Sequence, residues 1–176
     1  MEIQFKMNED NVLLVKKYSQ VFKTLGDYDS GKLKLVKTGK PKYILTYEEA
    51  QKVIEKARGE LKKMGISVGM FGKEIGNKLE IIIANLYQTF GKKDLYPSVG
   101  EKAANLLYFI LKNHPFVDGN KKIGVLLFLY YLEKNNCLKE NKKIDDNALI
   151  VLTLLIAMSN SKEKDNLVKI ATNFLK

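Results

Sequence analysis

The stretch KNHPFVDGNKKIGVLLFLYYL, residues 112–132, joins a short polar motif to a long apolar run. It contains His114, the only histidine of the chain, and passes through Asp118 and Gly119 before ten residues that are apolar or small. A helix with apolar residues on every side is expected to be buried. We therefore predict that the helix beginning near Asn120 is the central helix of the fold.

Two lysines, Lys121 and Lys122, stand at the predicted start of this helix. The first N–H groups of a helix lack partners within it, and its N-terminus carries a partial positive charge. Lysines there oppose the dipole, whereas a bound phosphate would be stabilised by the amides, the dipole and both ammonium groups. Glycine allows a ligand to approach the backbone closely. The sequence thus predicts a phosphate site formed by Gly119, Asn120, Lys121 and Lys122.

The neighbouring side chains are suited to group transfer from a nucleoside triphosphate. A histidine can be neutral near pH 7, so His114 could take a proton from a hydroxyl. Asp118 offers the hard oxygen ligand that Mg²⁺ prefers when it is shared with phosphates. A base, a metal ligand and a phosphate site together are typical of transfer to a hydroxyl.

Each of these residues also has a structural explanation. His114 fits a loop or helix-cap position, Asp118 and Gly119 form an ordinary turn pair, and the lysines could be solvated. Phe116 is expected to anchor the loop in the core under either interpretation. Clustering at the start of an apolar helix is what favours a functional site.

Composition limits the alternatives. The 176 residues, 45% of them hydrophobic, are typical of one globular domain of ordinary size. The single cysteine, Cys137, excludes an intramolecular disulfide, and no apolar run reaches the roughly 20 residues that span a bilayer. We therefore expect a cytoplasmic protein with no membrane partner.

The net charge of +10 favours an anionic partner, but the scattered lysines form no nucleic-acid motif, so no nucleic-acid partner is expected.

Apolar periodicity predicts a mainly all-α fold. Helices are predicted over 9–25, 46–65 and 74–90, from Ser98 towards the motif, after the motif, after Asp145 or Asp146, and finally up to about Leu175. Thr46 with Glu49, and Ser98 with Glu101, form capping-box patterns. Short extended pieces are predicted at 33–36, 66–70 and around Leu95. The turn-rich segment after the first helix predicts an N-terminal appendage of residues 1–45 and a main domain of residues 46–176.

The motif HPFVDGNKK, residues 114–122, resembles the signature HxFx(D/E)(G/A)N(G/K)R of the Fic/Doc family. The resemblance extends over roughly residues 65–176. This region is similar to the Fic domain of RhuM-like virulence proteins. It implies the Fic helical bundle, with Mg²⁺ and ATP or another nucleoside triphosphate as cofactor and co-substrate.

The resemblance also implies roles for individual residues. His114 would be the general base, Asp118 the Mg²⁺ ligand, and Gly119, Asn120, Lys121 and Lys122 the nucleotide-phosphate site. The segment 91–98 resembles the flap that aligns the target side chain by strand addition in this family. Its docking residues would be Lys93, Asp94, Leu95 and Tyr96.

Two departures from the signature bear on the activity. Lys121 replaces the glycine of most adenylyl-transferring members, and Val125 stands where these have a second arginine. Lysine at the first position is typical of Doc, the death-on-curing type, which implies phosphoryl transfer to a protein hydroxyl, with elongation factor Tu as a candidate target. Lys122 replaces an arginine of nearly all members, and so keeps the charge but loses the bidentate fork.

The sequence is therefore compatible with three functions. The first is a Doc-like phosphoryl-transferring toxin of a toxin–antitoxin system, and the second is transfer of AMP to Ser, Thr or Tyr. The third, of another class, is a catalytically impaired Fic-fold binding module. The inhibitory pattern (S/T)xxxE(G/N) of many Fic proteins has no match, so a separate antitoxin is expected.

Overall fold

The computed structural model describes residues 9–138 and 144–175. This part of the chain is mainly helical, as predicted. The helices are α1 (Glu9–Lys17), α2 (Ser19–Asp29), α3 (Tyr47–Lys63), α4 (Lys78–Leu86), α5 (Val99–Asn113), α6 (Asn120–Lys134), α7 (Asp146–Met158) and α8 (Lys164–Asn173), with a 3-10 turn at Ser161–Glu163. One antiparallel hairpin pairs β1 (Thr89–Phe90) with β2 (Lys93–Asp94).

The internal contacts divide the described chain between Lys34 and Leu35. The N-terminal unit contains α1 and α2 instead of the single helix predicted over 9–25. Hydrogen bonding continues across their junction, since the N–H of Tyr18 donates to the carbonyl of Leu14 at 2.9 Å. No residue of α2 is buried. The domain boundary predicted between residues 45 and 46 stays a prediction.

The second unit is built around α5 and α6, which pack against each other. Leu106, Leu107 and Ile110 of α5 are fully buried. A Cβ atom at Gly124 of α6 would lie 3.2 Å from Cδ1 of Leu107, so the missing side chain lets the two helices approach closely. No residue from Ile123 to Leu132 is exposed. The prediction of a central buried helix after the motif is therefore confirmed.

The remaining helices of this unit surround the central pair. α4, α7 and α8 pack against α5, while α3 and α7 pack against α6. Ser98 and Glu101 form the predicted reciprocal capping box at the start of α5. Asp145 caps α7 by accepting the N–H of Ala148 at 2.8 Å. Among the helices described, none is long and apolar enough to cross a membrane.

The helix predicted over 74–90 is shorter in the structure. It begins at Lys78 and ends at Leu86. Gly76 has a φ of 62°, outside the helical region, and Ile75 donates its N–H to the carbonyl of Pro115 at 2.8 Å. The long-range pairing therefore overrides the local helical periodicity before Lys78.

Other local predictions also need correction. The Thr46 hydroxyl accepts the N–H of Glu49, but the Glu49 carboxylate accepts the hydroxyl of Tyr130 at 2.5 Å, so only half of this capping box forms. Within the described residues, no strand forms over 33–36 or 66–70. The extended structure predicted around Leu95 corresponds to the hairpin just before it.

Candidate active site

The motif loop, residues 114–119, connects the end of α5 to the start of α6. His114 is the C-cap residue of α5 and has a left-handed φ of 44°, which is uncommon for a residue with a side chain. Lys78 donates from Nζ to the carbonyl of Asn113 at 3.3 Å, which satisfies one terminal carbonyl of α5. The His114 side chain is exposed at this fixed backbone position.

The segment Phe71–Ile75 runs along the motif loop and forms two isolated bridges with it, Phe71 to Asp118 and Glu74 to Phe116. Three backbone hydrogen bonds join the two segments: the Gly72 N–H to the Asp118 carbonyl at 3.1 Å, the Ile75 N–H to the Pro115 carbonyl at 2.8 Å, and the Val117 N–H to the Lys73 carbonyl at 2.8 Å. This pairing gives the loop a fixed edge. The loop conformation thus depends on residues about forty positions earlier in the chain.

Asn120 and Phe116 hold the loop from within. Oδ1 of Asn120 accepts the N–H of Phe116 at 3.0 Å, and Nδ2 donates to the Phe116 carbonyl at 2.7 Å. The Phe116 side chain is buried in the core. Because both polar atoms of the Asn120 side chain bind the loop, its backbone N–H is the group left to contact an anion.

Gly119 connects the loop to α6 in a conformation that requires glycine. Its φ is 89°, and a Cβ atom there would lie 2.5 Å from Cδ2 of Phe71. α6 therefore begins after an N-cap residue that has no side chain, and no side-chain cap is formed. The amides of Asn120, Lys121 and Lys122 have no acceptor within the helix.

A cleft of about 550 Å³ opens beside this helix start. Its lining residues are Ile75, His114, Phe116, Val117, Asp118, Gly119, Asn120, Lys121 and Lys122. Both lysines are exposed. The structure thus brings every residue predicted for catalysis, metal binding and phosphate binding to one cleft, whose volume is typical of a small-molecule site, about 300–1,000 Å³.

Asp118 is the carboxylate of this cleft. It is exposed, and no hydrogen bond or ion pair of its side chain is seen within residues 9–138 and 144–175. The described residues contain no cluster of three His, Cys, Asp or Glu side chains that could hold a metal by themselves. Mg²⁺ is commonly held by one or two carboxylates together with substrate phosphates. Asp118 beside the start of α6 fits that shared arrangement.

Helix α3 fixes the segment beside the loop through Glu74. The Tyr47 hydroxyl donates to Oε1 of Glu74 at 3.0 Å, and Nε2 of Gln51 donates to the same oxygen at 3.0 Å. Burial and the hydrogen bond to Glu74 raise the pKa of Tyr47, which keeps its proton.

Lys73 and Ile75 bond to the motif loop through their backbone groups. Because backbone groups alternate in direction along such a pairing, the N–H and carbonyl of Glu74 point away from the loop. Within the described chain, its N–H and carbonyl have no backbone partner. Glu74 therefore presents a backbone edge next to the cleft.

The hairpin predicted to dock the target lies at the other end of α5. Lys102, in the first turn of α5, donates from Nζ to Oδ2 of Asp94 at 3.3 Å. From Lys102 to His114 the helix rises about 18 Å. Lys93 and Asp94 line a different cleft from that of the motif.

The other two predicted docking residues are also separate from the motif cleft. Leu95 is exposed, and the Tyr96 hydroxyl accepts Nζ of Lys164 at 3.1 Å. The structure therefore does not bring Lys93–Tyr96 together with His114. The segment that does lie beside the motif loop, Phe71–Ile75, was not identified from the sequence.

One signal of that segment is present in the sequence. Gly72 lies within the segment and Gly76 follows it directly, and they adopt φ values of 73° and 62°. Glycines at short intervals indicate non-helical backbone, whereas the apolar periodicity of the following residues favoured a helix over 74–90.

A model of the Fic/DOC family matches residues 19–132, which is well over half of the chain. Searches of curated proteins and of solved structures found no match. The mainly helical architecture with a two-stranded hairpin is consistent with the Fic fold. By this match, which includes the HPFVDGNKK loop and most of the central helix, the chain belongs to the Fic/DOC family.

Proposed function

We propose that the protein is a Doc-like transferase that moves the γ-phosphoryl group of ATP or another nucleoside triphosphate to a hydroxyl of a target protein. The observation that carries this proposal is the single cleft that contains His114, Asp118 and the lysine-bearing start of α6. Family membership supports it, since members typically transfer nucleoside monophosphate or phosphate groups.

The proposed reaction uses His114 as the base. The target oxygen forms a bond to the γ-phosphorus while the bond from that phosphorus to its bridging oxygen breaks. The hydroxyl proton passes to the imidazole of His114. The nucleoside diphosphate leaves with the electron pair of the broken bond.

The start of α6 would stabilise the charge on the transferred group. The amides of Asn120, Lys121 and Lys122 are pre-oriented by the helix, and the two ammonium groups add positive charge. Mg²⁺, when held by Asp118 together with the donor phosphates, would neutralise further phosphate charge.

The identity of the transferred group rests on two positions. Lys121 matches the Doc-like variant of the signature. Val125 contributes an apolar side chain to a groove of about 460 Å³ that also contacts both lysines. The second arginine of adenylyl-transferring members is thus replaced by a group that cannot bind a phosphate. This favours phosphoryl transfer over AMP transfer, which remains the alternative reaction of the same cleft.

The target would bind along Glu74. An extended target segment could add its backbone to the N–H and carbonyl of this residue, in the manner of strand addition. Its hydroxyl side chain would then reach the cleft lined by the adjacent Ile75 and His114. Tyr47 and Gln51 keep this edge in place from α3.

Position-specific labelling tests the reaction. The protein is incubated with Mg²⁺, cell lysate, and ATP labelled at either the α- or the γ-phosphate. Transfer of the γ label alone is expected, and it should be lost in His114→Ala. Transfer of the α label would establish AMP transfer instead. Absence of both labels, with wild type equal to His114→Ala, would exclude an active transferase under these conditions.

The toxin role is a further part of the proposal. Induced expression of wild type should arrest growth, and expression of His114→Ala should not. Growth arrest by both proteins would separate toxicity from catalysis. It would favour the binding-module function, for which Lys122 in place of arginine is the motivating feature.

A further inference from the structure

A second cleft, of about 540 Å³, lies against the hairpin and is separate from the motif cleft. Three exposed lysines, Lys40, Lys92 and Lys93, line it. The one carboxylate among the lining residues, Asp94, is already paired with Lys102. The cleft therefore carries an excess of positive charge, which favours an anionic ligand.

Lys102 adds a buried cation to this cleft. Its side chain is 1% exposed, whereas that of Asp94 is 47% exposed, so solvent weakens the compensation by the carboxylate. Nζ donates to the carbonyl of Leu86 at 2.8 Å and lies 5.0 Å from the ring centroid of Tyr87. A buried ammonium group is screened less than a surface one and raises the potential inside the cleft.

The tip of the hairpin presents Lys92 in a strained backbone conformation. Lys92 has a φ of 66°, and it follows Gly91, whose φ is 56°. Two-residue hairpins of this shape favour glycine or asparagine at both positions. A lysine at the second position is disfavoured by its Cβ atom, yet it contributes to the charge of the cleft.

Part of the cleft wall is apolar and includes one aromatic ring. Pro41, Tyr87 and Pro97 are among the lining residues. The Tyr87 ring is held in place because its hydroxyl accepts the N–H of Leu45 at 2.7 Å. The fixed Tyr87 ring, with the apolar surface of the two prolines, provides a face for a planar base, while the lysines suit phosphate.

We propose that this cleft is a second nucleotide-binding site, distinct from the motif cleft. It takes a nucleoside phosphate, with the base on the wall formed by Pro41, Tyr87 and Pro97 and the phosphate at Lys92 and Lys93. The same chemistry could come from a free mononucleotide or from a nucleotide within a single-stranded RNA. Phe90 of the same hairpin is 86% exposed and could stack a neighbouring base of such a strand.

Binding is measured on the full chain carrying Lys121→Ala and Lys122→Ala, which removes both ammonium groups from the motif cleft and so weakens nucleotide binding there. The probe is ADP with a fluorescent group on its ribose. Saturable binding is expected, and Lys92→Glu with Lys93→Glu should weaken it by about tenfold or more. Lys52→Glu with Lys56→Glu on α3 makes the same change of charge at exposed positions and should alter it less than about twofold.

Two measurements separate the sources of the ligand and check the location. Unlabelled ADP should displace the probe, and a short single-stranded RNA that binds far more tightly, with steep salt dependence, would identify RNA as the source. Bound nucleotide should also slow hydrogen exchange at the Leu95 N–H, which donates to the Gln88 carbonyl at 3.0 Å.

Three results would overturn the proposal. These are no saturable binding in the Lys121→Ala, Lys122→Ala background, binding that is insensitive to the changes at Lys92 and Lys93, and lysine-dependent binding of a polyglutamate peptide but not of ADP. The last would assign the cleft to an acidic protein segment. Because the motif lysines are absent from the tested protein, none of these results bears on the proposed transferase.

Discussion

At the scale of single residues, Gly119 sets the geometry at the start of α6. We predict that Gly119→Ala destabilises the protein by about 1–3 kcal/mol, because the left-handed backbone is strained by a side chain. The added Cβ would also lie 2.5 Å from Phe71, so transferase activity should fall. Denaturant unfolding and γ-label transfer measure both effects.

Gly59→Ala in α3 is the matched control. Gly59 has open space around its Cβ position and a regular φ. Alanine should stabilise this helix by about 0.5–1 kcal/mol. Equal effects of the two substitutions would show that neither φ nor packing at Gly119 matters.

Lys122 is the position where one side chain is expected to limit activity. Lys122→Arg should raise the initial rate of γ-label transfer by about fivefold, since a guanidinium can bind phosphate through two hydrogen bonds. Lys56→Arg on α3 serves as the control, because Lys56 is exposed and lies outside the cleft. An unchanged or lower rate would mean that lysine serves this site as well as arginine.

At the scale of structural elements, α3 positions the segment Phe71–Ile75 through Tyr47. Tyr47→Phe removes the hydroxyl that donates to Glu74 at 3.0 Å. We predict faster hydrogen exchange at the Gly72 and Ile75 amides, which bond to the motif loop.

If Glu74 is the docking edge, the KM of Tyr47→Phe for the protein target should rise more than its kcat falls. Tyr28→Phe, at an exposed tyrosine of α2, is the comparison. Unchanged exchange in Tyr47→Phe would show that Gln51 alone holds Glu74.

The hairpin is attached to α5 through Lys102. Lys102→Met should destabilise the protein by about 1–3 kcal/mol, because the Leu86 carbonyl loses its donor. Asp94→Asn should cost less, since the amide oxygen still accepts a hydrogen bond and the side chain is half-exposed. Thermal unfolding of the two variants shows which substitution destabilises the protein more. The reverse order would mean that the carboxylate charge, and not the bond to Leu86, stabilises the hairpin.

At the scale of the whole molecule, residues 36–45 are tied to helices of the second unit. The Val36 N–H donates to Oγ1 of Thr172 at 3.1 Å, and Leu45 is 1% exposed. A chain beginning at Leu35 is the reference for this test, because it keeps residues 36–45. A chain beginning at residue 46 should melt about 4 °C or more below the chain beginning at Leu35, since loss of the buried Leu45 costs roughly 2 kcal/mol.

Circular dichroism of the two shortened chains, at equal concentration, checks this prediction. It also tests the domain boundary predicted between residues 45 and 46. Equal melting temperatures would support that boundary over the division between Lys34 and Leu35.

Features carried by neighbouring residues could be predicted from the sequence. The burial of α6 follows from apolar residues on all its sides, and the cap at Ser98 follows from the Glu101 three positions later. The residues predicted for the motif site line one cleft in the structure, because residues 114–122 are contiguous and the start of one helix brings their groups together.

The sequence by itself therefore determined the family, the mainly helical class and the cluster from His114 to Lys122. Only the tertiary structure decided which segment lies beside the motif loop and that the hairpin does not. Phe71–Ile75 reaches the loop through backbone hydrogen bonds between positions about forty apart, and such bonds leave no periodic side-chain pattern. The same holds for the lysine-lined cleft, where Lys40, the hairpin and Lys102 meet only because α5 and the hairpin are folded together.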